Sequence, residues 1–189
     1  MIETMRARLF SSAMRVLQGS LLRRLIRQQD GVAAVEFGLV AAPFLALVFA
    51  IMETALVFFA GQALETAAAD SARLVMTGQA QMQGFDETKF KEAVCAKISG
   101  LFNCSAGIKV DVRKYASFAG INIAKPIDAV GNFSGSFTFD PGQPGDIVMV
   151  RLMYQWPVYV SLLGLNLSDM AGGKRLLMST VAFRNEPYK

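Results

Sequence analysis

The sequence predicts an α+β protein: a long N-terminal transmembrane helix, then a small helix and an antiparallel β-sheet domain. Three observations carry this. From Val32 to Leu64 the chain is apolar, with only Glu36 and Glu53 as charged interruptions. The run continues into an alanine-rich stretch, Ala63 to Ala72 region included, with strong helix propensity. Further on, Ile108-Lys109-Val110-Asp111-Val112-Arg113 alternates apolar and charged residues, as a strand with one wet face does.

Composition narrows the class before any motif is read. The 189 residues are 53% hydrophobic and only 18% charged, with a mean hydropathy of +0.37. That balance fits a membrane segment attached to a globular domain. Histidine is absent, which removes the usual general base and the commonest metal ligand. Two cysteines without histidine do not build an ordinary zinc site. No G-x-S-x-G, P-loop or metal-ligand spacing occurs, so no catalytic, cofactor-binding or metal residue is assigned and no enzymatic activity is expected. Asp128, Asp140, Asp146 and Asp169 read as loop acids and caps.

Charge is distributed unevenly. The first 31 residues hold six arginines against Glu3 and Asp30, which accounts for the whole net charge of +4. The remainder balances thirteen basic with thirteen acidic residues. Nucleic-acid binding would place the positive charge on the folded domain. Here it precedes the apolar run, where it is a topology signal. By the positive-inside rule the N-terminus stays cytoplasmic and the C-terminal domain is exported. The run is too long for a cleavable secretory signal, whose apolar stretch is about 7–15 residues.

In chain order, one helix is expected from Val32 to about Thr77, ending near Gly78. Ala60, Ala63, Ala67 and Ala68 allow close helix–helix approach, and Asp70 and Arg73 stand three apart for modest pairing. Pro43 lacks the N–H that would bond back to Leu39. It is either a soft spot for a helix that moves out of lipid or a tolerated transmembrane proline. Residues 78–84 read as a polar linker. Asp86 then caps a second helix between the staple residues Phe85 and Phe90, with Phe90, Val94, Ile98 and Leu101 on its buried face. Cys95 and Cys104, nine apart, do not form a C-x-x-C motif. In an exported domain a disulfide is the better reading, with two free buried thiols as its rival. Strands follow at Ile108–Arg113, around 133–139, at Asp146–Gln155 and at Leu176–Arg184, with Val148, Val150, Leu152 and Tyr154 on one face. Val158 to Met170 is apolar, either a short helix or a subunit-contact loop. Trp156 and Tyr154 fit core or interface.

Glu36 has two readings. A carboxylate in hydrocarbon costs several kcal/mol unless shallow or partnered. It lies in the first turn near the headgroups, favoured by the helix dipole, or it becomes the fifth residue of a helix cut after Gly31. In the second case it can pair with the Val32 ammonium of a neighbouring subunit. The string Arg27-Gln28-Gln29-Asp30-Gly31-Val32-Ala33-Ala34-Val35-Glu36-Phe37 resembles the processing region of type IV prepilins. It is most similar to that of the TadE-like minor pilins, or pseudopilins, of the tight-adherence pilus. Gly31 stands at the cleavage glycine, Glu36 at the glutamate and Phe37 at the aromatic. Residues 63–73 and the terminal Ala182–Tyr188 segment also resemble that family.

The resemblance implies a pilin-like helix cut between Gly31 and Val32 by prepilin peptidase, with Glu36 and Phe37 serving assembly. It implies the inner membrane, other pilin and pseudopilin subunits and the pilus assembly platform as partners, with no cofactor and no nucleic acid. Residues 1–31 would then be a basic cytoplasmic leader, 32–77 the transmembrane and projecting helix, and 78–189 the exported α+β domain. The location would be the bacterial inner membrane, single-pass, with the C-terminal domain periplasmic and the subunit available to an extracellular pilus. The alternatives are an unprocessed single-pass accessory protein of the platform and a membrane-tethered ligand-binding domain.

Overall fold

The computed structural model describes residues 31–98, 100–159, 164 and 166–188. The expected leader therefore lies outside the described residues except for Gly31. Helix α1 spans Val32–Met76 and contains Pro43. The boundary between two compact units falls inside it, between Val48 and Phe49. In the first unit the helix exposes Val35, Phe37, Leu39, Val40, Phe44, Leu45 and Leu47, residues that together occupy every side of it.

In the second unit the same helix becomes one-sided. Glu53, Val57, Ala60, Leu64, Ala67, Ala68, Ser71, Ala72 and Val75 are buried, spaced by threes and fours as one helix face requires. The small residues do permit close approach, but what they pack into is this domain's own core rather than another long helix. Asp70 meets Lys97 at 3.5 Å rather than pairing with Arg73. Lys97 is the last residue of the helix Glu87–Lys97 and reaches across to α1.

The expected linker 78–84 contains one helical turn, α2, Gln79–Met82. Its formation follows from the end of α1. Gly78 turns the chain at φ +78, and Ala80 is driven into the core. The Gln81 amide donates to Val75 O at 3.2 Å and to Pro141 O at 2.9 Å. Helix α3, Glu87–Lys97, begins at the N-cap Asp86, whose carboxylate accepts Lys89 N–H at 2.8 Å. Phe90 and Val94 are fully buried and Ile98 nearly so. Cys95 and Cys104 are joined by a disulfide, their Cα atoms 5.6 Å apart. Closing so short a loop stabilises by roughly 2–3 kcal/mol in the chain-entropy picture. Cys104 opens a single turn, α4, Cys104–Gly107.

Strands β1 (Lys109–Tyr115), β2 (Ile147–Pro157) and β3 (Lys174–Arg184) form one antiparallel sheet in the order β1-β2-β3. The register pairs Val112 with Val150 and Val150 with Val181. It aligns Val110, Val112, Val148, Val150, Leu152 and Leu177 on the face that joins the α1 and α3 side chains in the main core. Phe102 packs edge-on against Tyr154, with centroids 4.9 Å apart, and against Trp156 at 5.9 Å.

The sheet has three strands, not four. No strand forms at 133–139. Phe133 and Phe137 stack on each other at 5.2 Å, far closer than the roughly 13 Å that four residues span along an extended strand. Gly131 and Gly135 break the extended path at φ +84 and +128. Within 133–139, Phe139 makes a single parallel bridge to the sheet, at Val112. Residues 121–139 instead cover the second sheet face, where Ile127, Phe133 and Phe137 pack on Met153, Met170 and Leu176. Of the ambiguous segment 158–170, residues 160–163 and 165 lie outside the described residues.

The two glycines flanking α2 separate backbone strain from crowding. Gly78 and Gly84 both have positive φ, but only at Gly78 would a Cβ overlap the Tyr188 ring. Gly84→Ala should cost about 1–2 kcal/mol for the left-handed backbone. Gly78→Ala should cost clearly more because the ring must also be displaced. Urea unfolding in detergent micelles, followed by Trp156 fluorescence, reads the difference.

Candidate functional site

The residues singled out for processing and assembly lie at the start of α1. Gly31 precedes the helix and is exposed. Its φ is not in the left-handed region, and a Cβ built there meets nothing within 4 Å. Among the described residues, then, nothing demands glycine at position 31. Val32 is 47% exposed and Phe37 75% exposed. Glu36 is exposed as well, four residues beyond Val32 and so one turn along the same face. Among the described residues no hydrogen bond or ion pair engages Glu36, while most buried polar groups elsewhere are satisfied.

The second carboxylate of the apolar run behaves differently. Glu53 is buried, and its Oε1 accepts the Tyr159 N–H at 3.3 Å. Sequence reading recognised it only as an interruption. Its position three residues after Ala50, the first buried residue of α1, marks where the helix joins the domain.

The domain's own acids are structural. Asp111 accepts from Arg113 Nε at 2.7 Å and from Thr138 N–H at 3.1 Å. Arg151, missed by sequence reading because it interrupts an otherwise apolar strand, is buried and donates to the carbonyls of Ala124 and Asn122. It thereby ties the 121–126 segment to the sheet. Asp140 accepts Gly142 N–H, and Asp146 accepts Gln143 N–H. The Asn132 N–H, aided by that of Val130, holds Asp128 below the ordinary carboxylate range. At Asp169 burial pushes the pKa up, but the Lys125 ammonium and the Leu176 N–H outweigh it, and the group also sits below its usual value. These four aspartates are loop acids, as their sequence context indicates.

Geometry thus defines a helix-anchored α+β protein. Among the described residues, Val32–Met76 is the one helix long and apolar enough to cross a membrane. Within that helix lies the segment recognised by a family model: the model for TadE-like proteins matches residues 31–73. The match begins at Gly31 and includes Glu36, Phe37 and the alanine-rich face packed in the domain. The match covers less than a quarter of the chain. No curated protein and no solved structure shows a significant match to the chain.

The shifted aspartates set an acid limit. Both have folded values below the unfolded value of about 3.9, so their stabilisation is complete above that pH. It is lost as pH falls through the folded values. Asp169→Asn should lower stability at neutral pH and flatten its decline below about pH 4. Thermal melts between neutral pH and strong acid check this.

Proposed function

We propose that this chain is a minor pilin-like (pseudopilin) subunit of a tight-adherence type IV pilus system. Prepilin peptidase cuts it between Gly31 and Val32, and it assembles through α1. Its chemistry is association rather than catalysis. The N-terminus is cytoplasmic before cleavage and the domain is exported, in keeping with the arginines before the span and the disulfide beyond it.

The observation that carries this reading is that, among the described residues, nothing engages Gly31 or Glu36. Gly31 meets nothing that would forbid a side chain, so its smallness answers to an external pocket. Glu36 stands unpartnered at the head of an apolar helix. A carboxylate there needs a cation when lipid or neighbouring helices surround it. Cleavage creates one at Val32 of the adjoining subunit. Until then the dipole at the helix N-terminus favours the acid by about 0.3–1 kcal/mol.

Protein isolated from its native membrane should begin at Val32 on N-terminal sequencing. Gly31→Leu should retain the leader, because the protease pocket has to admit a residue with almost no side chain. Glu36→Ala should insert and be cut normally yet reduce assembled pili several-fold, scored in sheared fractions. An intact arginine-rich leader alongside normal fibres would instead establish the uncut accessory protein.

A further inference from the structure

Exposed apolar side chains do not stop where the membrane span ends. Residues 32–52 cover about 31 Å of helix at 1.5 Å per residue, enough for the roughly 30 Å hydrocarbon layer. Just beyond comes Glu53, and no charged residue follows on α1 until Glu65. Within that interval Leu56, Phe58 and Phe59 are 50%, 67% and 63% exposed. The bond from Tyr159 N–H to Glu53 Oε1 holds the end of β2 at the same level of the helix. The Tyr159 side chain, at 81%, is among the most exposed in the protein.

Cationic side chains flank this aromatic group. Val158 N–H donates to Gly173 O at 3.0 Å, which places the start of β3 beside it. Lys174 is exposed there. Arg175 lines, with Thr54, Val57 and Phe58, a groove of about 450 Å³ between α1 and β3. Other exposed apolar residues of the domain, Met82, Phe118, Ile123 and Val130, are scattered over separate segments. Aromatic rings mixed with lysine and arginine immediately past a transmembrane helix match the chemistry of the headgroup zone. The continuity with the span favours lipid over another protein as the covering surface.

We propose that Phe58 and Tyr159, with Arg175 and Lys174 near them, and Phe59 on the neighbouring side of α1 form a collar that seats the domain on the phospholipid headgroups where α1 leaves the bilayer. The inference rests on the reading that residues 32–52 cross the membrane. The collar fixes the domain's height and tilt through Glu53, so the face offered to neighbouring subunits is set before assembly.

The test uses the full chain reconstituted in liposomes of phosphatidylethanolamine and phosphatidylglycerol. Single cysteines are introduced as Phe44→Cys, Phe59→Cys, Val130→Cys and Tyr159→Cys, and spin-labelled under non-reducing conditions that preserve the native disulfide. Collisions with oxygen and with an aqueous nickel chelate report depth. Phe44→Cys should read as deep lipid and Val130→Cys as water. Phe59→Cys and Tyr159→Cys should meet oxygen freely and nickel several-fold less than Val130→Cys does. Lys174→Glu combined with Arg175→Glu should restore nickel access at position 159. A fully aqueous label at 159 with a lipid-embedded label at 44 overturns the collar and leaves the span standing. A label at 159 shielded from both reagents also overturns it, since protein then covers the surface. An aqueous label at 44 overturns the span and the collar with it.

Discussion

The fold depends on one stripe of α1: Val57, Ala60, Leu64, Ala67, Ala68, Ala72 and Val75 packed into the core with the sheet. The alanines hold the helix close, while Val57, Leu64 and Val75 supply most of the apolar volume. A single element thereby serves two solvents. Upstream of Ala50 its large side chains are exposed on all sides; downstream its inner face is buried at the density of a protein interior. Helical assignment runs from Val32 to Met76 across both. The change lies wholly in which neighbours the side chains find.

Much of this was legible in the sequence because it rests on local rules. Helix α1 ends at Met76, one residue from the expected Thr77, since the helix runs out at a glycine that takes the left-handed turn. Asp86 caps α3 as its spacing indicates, and the alternation at 108–113 and 146–155 marks β1 and β2. Failures came where tertiary context overrides local pattern. The phenylalanines near 133–139 look like a strand, yet Phe133 and Phe137 pack with methionines on the far sheet face while Phe139 joins the main core beside Phe90. Asp70 finds Lys97, which no helical spacing could reveal.

The candidate site was legible for a different reason. Gly31 stands out as a glycine that nothing among the described residues requires, and Glu36 as a charge in an apolar run. Phe37 adds an exposed ring one position further along. Glu53 violated the same pattern, but the structure satisfies it internally through Tyr159. Sequence alone does not distinguish an acid waiting for a neighbour from an acid already bonded at home.

The end of α1 is closed by distant chain. Glu186 N–H donates to Met76 O at 2.9 Å, and Asn185 bonds Pro141 O and Gln143 O nearby. The segment around residues 185–186 thus lies against the far end of the helix that the family model matches over residues 31–73. A ribosome makes these partners far apart in time. The far end of α1 is therefore sealed only once residues 185 and 186 have emerged, long after the helix itself has been made.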